Sequence, residues 1–126
     1  MDDQSLRSIE RFANDLRSIE SDFPASYLAV LAYVALHEKR YGEWPNIIDI
    51  SEAVGILRPS VSRIVLTMSD ARRGRSKAGE QRPAGSRKAL GLLERKPDPV
   101  DLRMVRVHTT SKGTALLRRL AEHLGG

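Results

Sequence analysis

Apolar positions recur at spacings of three and four near the N-terminus: Leu6, Ile9, Phe12, Ala13, Leu16 and Ile19. That spacing places them on one stripe of a helix. Arg7, Glu10, Arg11, Asp15, Arg17 and Glu20 make the rest of its surface polar, so the stripe must be covered by another element. In "PASYLAVLAYVALHEKRYG" the apolar residues run almost without a break from Tyr27 to Leu36, with Pro24 near the start and Gly42 just past the end. This pattern predicts the central helix of the core. Asn46 followed three residues later by Asp49 resembles a capping box with Asp in place of the usual Glu or Gln. It predicts a short helix from Ile47 to Val54 that stops at Gly55, the residue best able to take a left-handed cap conformation.

The segment "GILRPSVSRIVLTM" opens a further helix, because Pro59 fits a first turn where its missing N–H breaks no hydrogen bond. Two short helices joined by so short a turn form a helix-turn-helix pattern, packed through Ile50, Val54, Ile56, Val61 and Ile64. The second helix then presents Arg58, Ser60, Ser62 and Arg63 on its N-terminal polar face. Arginine can donate two hydrogen bonds to a guanine edge and serine can serve bases or phosphates, so these residue types suit a major groove. Helical hairpins without nucleic-acid function share the same periodicity.

Past Gly91, "LLERK", the turn "PDPVD" and "LRMVRVH" read as a two-stranded ribbon. Met104 or Val105 with Val107 alternates against Arg103 and Arg106. Thr110 is the expected N-cap of a last helix carrying Leu116, Leu117, Leu120 and Leu124. The fold class is therefore mainly α with a small β-wing, a winged helix-turn-helix. We read one domain over 1–126: an N-terminal helix within 1–22, the helix-turn-helix in 46–69, a basic insertion in 70–90, the wing in 91–109 and the C-terminal helix in 110–126.

Charge sharpens this picture. Of 21 basic and 16 acidic residues, seven basic ones (Arg72, Arg73, Arg75, Lys77, Arg82, Arg87, Lys88) and two acids (Asp70, Glu80) lie between Asp70 and Lys88. The remainder is neutral, so the whole excess of +5 sits in one segment and would draw a polyanion there first. Taken alone, the run fits a solvated loop equally well. The composition of "SDARRGRSKAGEQRPAGSRK" marks an irregular insertion.

Taken together, "ISEAVGILRPSVSRIV" and "LLERKPDPVDLRMVRVHTTSKGTALL" resemble the MarR family of bacterial transcriptional regulators. The more specific features are Asp101-x-Arg103 and the Thr-x-Lys-Gly run from Thr110 to Gly113. The resemblance implies a homodimer formed through the N- and C-terminal helices, each subunit placing its recognition helix in half of a palindromic operator. It implies that Ser60, Ser62 and Arg63 face the groove, and that Asp101 and Arg103 brace and equip the wing, where Arg95 and Lys96 add charge. The periodicity of the first and last helices would serve the monomer's own core as well as a dimer interface.

Three departures from the family pattern stand out. Between Arg63 and Gly91 lie 27 residues, where the family crosses with about two turns of helix, roughly 7 residues. Leu57 stands where the family often places a capping Ser, so the first turn of the recognition helix depends on Pro59 and on packing. The chain also offers less C-terminal helix than the family commonly uses for dimerisation.

Other classes of function find little support. His37, His108 and His123 are scattered without local carboxylate or metal-ligand spacing, and no phosphate loop or nucleophile elbow occurs. No catalysis, cofactor or metal is expected. With no Cys, thiol sensing and disulfides are excluded. Tyr27, Tyr33, Tyr41 and Trp44 are candidates for an effector cleft of the kind the family uses, though core or boundary positions suit them better. The N-terminus has no signal-peptide pattern and no run is long enough to span a membrane, so a cytoplasmic protein is expected. The expected partner is double-stranded DNA. The alternative is a winged-helix module for replication, partition or architectural DNA binding, or for protein interaction.

Overall fold

The computed structural model describes residues 1–69 and 89–125. Five helices and one ribbon follow in order: α1 (Asp3–Ile19), α2 (Ala25–Tyr41), α3 (Ile47–Val54), α4 (Arg58–Met68), β1 (Leu93–Pro97), β2 (Val105–Thr109) and α5 (Ser111–Glu122). Local chemistry sets most of the boundaries. Asp2, Asn46 and Thr110 each cap a helix by accepting the backbone N–H three residues on, from Ser5, Asp49 and Gly113. The capping box is reciprocal despite its shortened acid, since Asp49 also accepts from the Asn46 backbone N–H at 3.1 Å. Caps of this kind contribute about 1 kcal/mol each. Gly55 ends α3 at φ 74°, in the left-handed region, with its N–H bonded to Ser51 O.

α2 is the central helix. It buries Tyr27, Val30, Leu31, Val34 and His37, and packs against α3, α4, α5 and β2. Val61, Ile64, Val65 and Met68 of α4 join Ile50, Leu92, Leu93, Val107, Leu116 and Leu120 in the same core. Burying side chains of this size stabilises the fold by about 1.5–3 kcal/mol each.

The ribbon is antiparallel, with Leu93 opposite Thr109 and Pro97 opposite Val105. Its strands are offset from the sequence expectation, because β2 starts at Val105 instead of Leu102 and the turn widens to span Asp98 to Met104. Asp98 N–H donates to Met104 O at 2.8 Å and Met104 N–H to Asp101 O at 2.9 Å, which closes the wider turn. Preceding α3, Trp44–Asn46 lies along the outer edge of β2, with Val107 N–H donating to Pro45 O at 2.9 Å and Asn46 bridging to Arg106.

α5 seats the ribbon. Thr110 donates its hydroxyl to Gly91 O at 2.7 Å, and its N–H bonds Leu92 O at 3.1 Å. A Cβ at Gly113 would stand 2.3 Å from Leu92 O, so the close approach of α5 to the start of the wing admits only glycine there. This gives the Thr-x-Lys-Gly run its physical meaning: one residue caps the helix and ties it to the wing, the other lets the backbones meet.

The stripe of α1 divides. Phe12, Leu16 and Ile19 pack against the core, whereas Leu6 is 51% and Ile9 58% exposed. α1 runs against α5, and His123 Nε2 lies 2.7 Å from Asp15 Oδ2 across that contact. No helix among the described residues is long and apolar enough to cross a membrane.

Candidate nucleic-acid interface

The turn before α4 is braced from within. Ser51 donates its hydroxyl to Ile56 O, Gly55 supplies the left-handed step, and Leu57 O accepts Val61 N–H at 2.9 Å. α4 therefore starts from a fixed backbone although Leu57 provides no side-chain cap, and Pro59 sits in its first turn. Arg58, Ser62 and Arg63 are exposed and Ser60 is half-buried. The four residues thus share the outward N-terminal part of the helix, where the Arg63 guanidinium lies 3.5 Å from Ser60 Oγ.

The wing tip is organised by Asp98, whose role no local sequence pattern marks. Asp98 Oδ1 accepts Val100 N–H at 2.7 Å and Asp101 N–H at 3.0 Å, while Oδ2 accepts Arg106 Nε at 2.6 Å. The backbone donor at Asp101 above all, then the Arg106 guanidinium and the Val100 N–H, lowers the Asp98 carboxyl to about 2. Arg106 carries the link onward by donating Nη1–H to Trp44 O at 2.7 Å. Arg103 and Arg106 do not share a solvent face as the alternation suggested: Arg106 is drawn inward, whereas the Arg103 side chain is 91% exposed. Asp101 accepts both the backbone N–H and the Nε–H of Arg103, at 3.1 and 3.2 Å, so the Asp-x-Arg pair forms a local brace at the tip.

On the strands, Arg95 and Lys96 are both exposed. Lys96 Nζ stands 4.9 Å above the Trp44 ring, which stacks on His108 at 4.2 Å with only 5° between the planes. His108 Nδ1 lies 2.8 Å from Glu38 Oε1, and that same oxygen accepts Thr109 N–H at 3.0 Å. Glu38 on α2 thereby fastens the base of the wing to the central helix. Local spacing predicts no carboxylate partner for the histidines, but His108 and His123 do have such partners, Glu38 and Asp15, brought from far along the chain. Among the described residues no group of His, Cys, Asp or Glu could hold a metal ion.

The four candidate effector aromatics are dispersed. Tyr27 is buried edge-on to Phe23, Tyr33 and Tyr41 both approach His37, and Trp44 belongs to the wing stack. Burial pushes the Tyr33 hydroxyl up, and that hydroxyl lies 3.1 Å from His37 Nδ1. A groove of about 1010 Å³ does run beside the ribbon and α5, past Glu38, Leu93, Arg95, His108, Thr114 and Arg118, but none of those aromatics lines it. Arg72, Arg73, Arg75, Lys77, Arg82, Arg87 and Lys88 lie outside the described residues.

Solved structures share this arrangement of helices and wing. The S. aureus MepR–DNA complex matches 94% of this chain and 77% of its own at a TM-score of 0.64, with 18% identity. The repressor CouR bound to a 23-mer DNA duplex matches 94% of this chain and 66% of its own, with a TM-score of 0.57 and 26% identity. The PcaV transcriptional regulator of Streptomyces coelicolor, in complex with its natural ligand, matches 94% and 67% at a TM-score of 0.56 and 21% identity. The fold is that of the MarR-family winged-helix regulators. This chain thus spans 66% to 77% of the length of these neighbours. No protein-family model matches the sequence, nor does any curated protein. Within this fold, β1–β2 form the wing.

Proposed function

We propose that this protein is a sequence-specific, double-stranded-DNA-binding transcriptional regulator that acts in the cytoplasm as a homodimer on a palindromic operator. The observation that carries the reading is the outward N-terminal face of α4, with Arg58, Ser60, Ser62 and Arg63 on a turn that Ser51 and Gly55 hold in place. Such a helix enters a major groove by its N-terminal residues, and the wing beside it reaches the backbone or minor groove. In this reading Arg58 and Arg63 donate to base edges, Ser60 and Ser62 to bases or phosphates, and Arg95, Lys96 and Arg103 meet phosphates, with Asp101 positioning Arg103. The neighbours MepR and CouR were solved with DNA, which supports the same use of the fold.

The dimer reading rests on α1. Its Leu6 and Ile9 are left uncovered by this chain, as is Leu124 beyond α5, and a second copy would cover them. The basic residues from Arg72 to Lys88 would add contacts to phosphate that are independent of sequence.

Fluorescence anisotropy of a labelled random-sequence duplex, titrated with protein at several salt concentrations and with the mass in solution recorded, tests the reading. Salt-sensitive binding by a dimer, followed by enrichment of a palindrome from a random pool, is the expected result. Steep salt dependence without sequence preference would move the protein to architectural or replication roles. Absence of binding at low salt would overturn the DNA reading in favour of a protein partner.

A further inference from the structure

Three helices of this chain, α1, α3 and α5, are capped by Asp2, Asn46 and Thr110. α2 and α4 have no side-chain cap, Pro24 standing at the start of α2 and Leu57 at the start of α4, next to the candidate DNA-reading face. Leu57 is the N-cap of α4, in extended conformation at φ −61° and ψ 145°, with no side-chain hydrogen bond to the first turn. A leucine there forgoes the stabilisation a Ser or Asp would bring. Packing does not compensate for it, because Leu57 is 77% exposed. Yet the backbone that carries it is fixed on both sides, by the Ser51 hydroxyl on Ile56 O and by Val61 N–H on Leu57 O at 2.9 Å. The chain thus holds a bare aliphatic side chain at a defined place, beside Arg58, about one turn from Ser60 and within two turns of Ser62 and Arg63.

We propose that Leu57 is a specificity residue that packs on the C5-methyl group of a thymine in each half of the bound site. The inference deepens the DNA-binding reading and rests on it. Thymine alone among the four bases offers a methyl group in the major groove, and an aliphatic side chain can recognise that group although it can make no hydrogen bond. The neighbouring arginines and serines supply polar readout, so Leu57 adds a discrimination they lack: thymine against cytosine, and thymine against its demethylated form. Local propensity is disobeyed at a functional position, where such conflicts are expected to concentrate.

The test compares thymine with deoxyuridine, which pairs identically and lacks only the methyl group. A duplex enriched from a random pool by the wild-type protein is resynthesised with deoxyuridine replacing one thymine at a time, and affinities are measured by anisotropy. Wild-type protein is expected to lose about fourfold in affinity at one thymine of each half-site, the factor corresponding to a buried methyl group. Leu57→Ala should bind the thymine and deoxyuridine duplexes equally, and Leu57→Met should keep the difference. Both variants change an exposed side chain, and their circular-dichroism melting curves are compared with wild type to establish folding. Wild-type indifference to deoxyuridine at every thymine would overturn the inference while leaving the DNA reading in place. A Leu57→Ala variant with undiminished deoxyuridine sensitivity, or one altered in oligomeric state alone, would likewise overturn it. If the wild-type protein binds no duplex, the DNA reading fails first and this inference falls with it.

Discussion

Asp98 and Arg106 meet at 2.6 Å beneath the wing tip, with the other Asp98 oxygen holding two backbone N–H groups of the turn. One carboxylate therefore fixes both the course of the turn and its attachment to β2, and through Arg106 to the Trp44 carbonyl.

That arrangement sets an acid limit. The Asp98 carboxyl is lowered from 3.8 to about 2 in the folded chain, so its contribution is fully present above the ordinary value and is lost as pH falls through about 2. Between those values the unfolded chain binds the extra proton, and stability drops with pH. Asp98→Asn is expected to lower the melting temperature at neutral pH and to flatten its dependence over that acid window. Thermal melts of both proteins across the window provide the check, and parallel curves would remove Asp98 from this role.

Gly113→Ala is expected to destabilise the protein, because the new methyl would meet Leu92 O at 2.3 Å, a backbone atom that can yield only by shifting the wing from α5. A cost of about 1–3 kcal/mol fits overpacking of this kind. Denaturant unfolding with an unchanged midpoint would contradict it.

Glu38→Ala should loosen the wing at its base. The buried Thr109 N–H loses its acceptor and His108 loses its carboxylate partner, which together cost about 1–3 kcal/mol. The chain has one Trp, and Trp44 lies stacked on His108, so its emission reports on this site alone. A lower unfolding midpoint with altered native-state emission is expected.

Arg63→Ala is expected to reduce the preference for the enriched site over random duplex by about 1–3 kcal/mol, the usual range for a good bidentate base contact. Competition binding measures this directly. Uniform weakening on both duplexes would make Arg63 a phosphate contact instead.

How much of this was legible in the sequence depends on the distance over which each feature is decided. The capping box at Asn46 and Asp49, the stop at Gly55 and the start at Pro59 are written in neighbouring residues, and the helices follow from them. The tip of the wing was only half legible. An acid followed by Pro marks a turn, but whether Arg103 or Arg106 turns inward depends on where β2 begins, and alternation alone put both arginines outside. The stack of Lys96, Trp44 and His108 over Glu38 was not legible, because His108 finds Glu38 across 70 residues of chain. Arg58, Ser60, Ser62 and Arg63 stand out in the sequence by their chemistry, and the structure gathers them on one end of α4. The missing cap at Leu57 is visible in the sequence, whereas its exposure is not.

α1 contains no buried residue, in contrast to α2, which contains five. The two helices should therefore exchange their amide protons with solvent by different routes. In α2 exchange is expected to await global unfolding, whereas α1, held to the core through Phe12, Leu16 and Ile19, is expected to open locally at a lower cost. Anything that covers Leu6 and Ile9 would slow this second route, and because it binds only the folded chain it would oppose global unfolding as well. The protection of the first helix thus becomes a gauge of how crowded the solution is with copies of the chain.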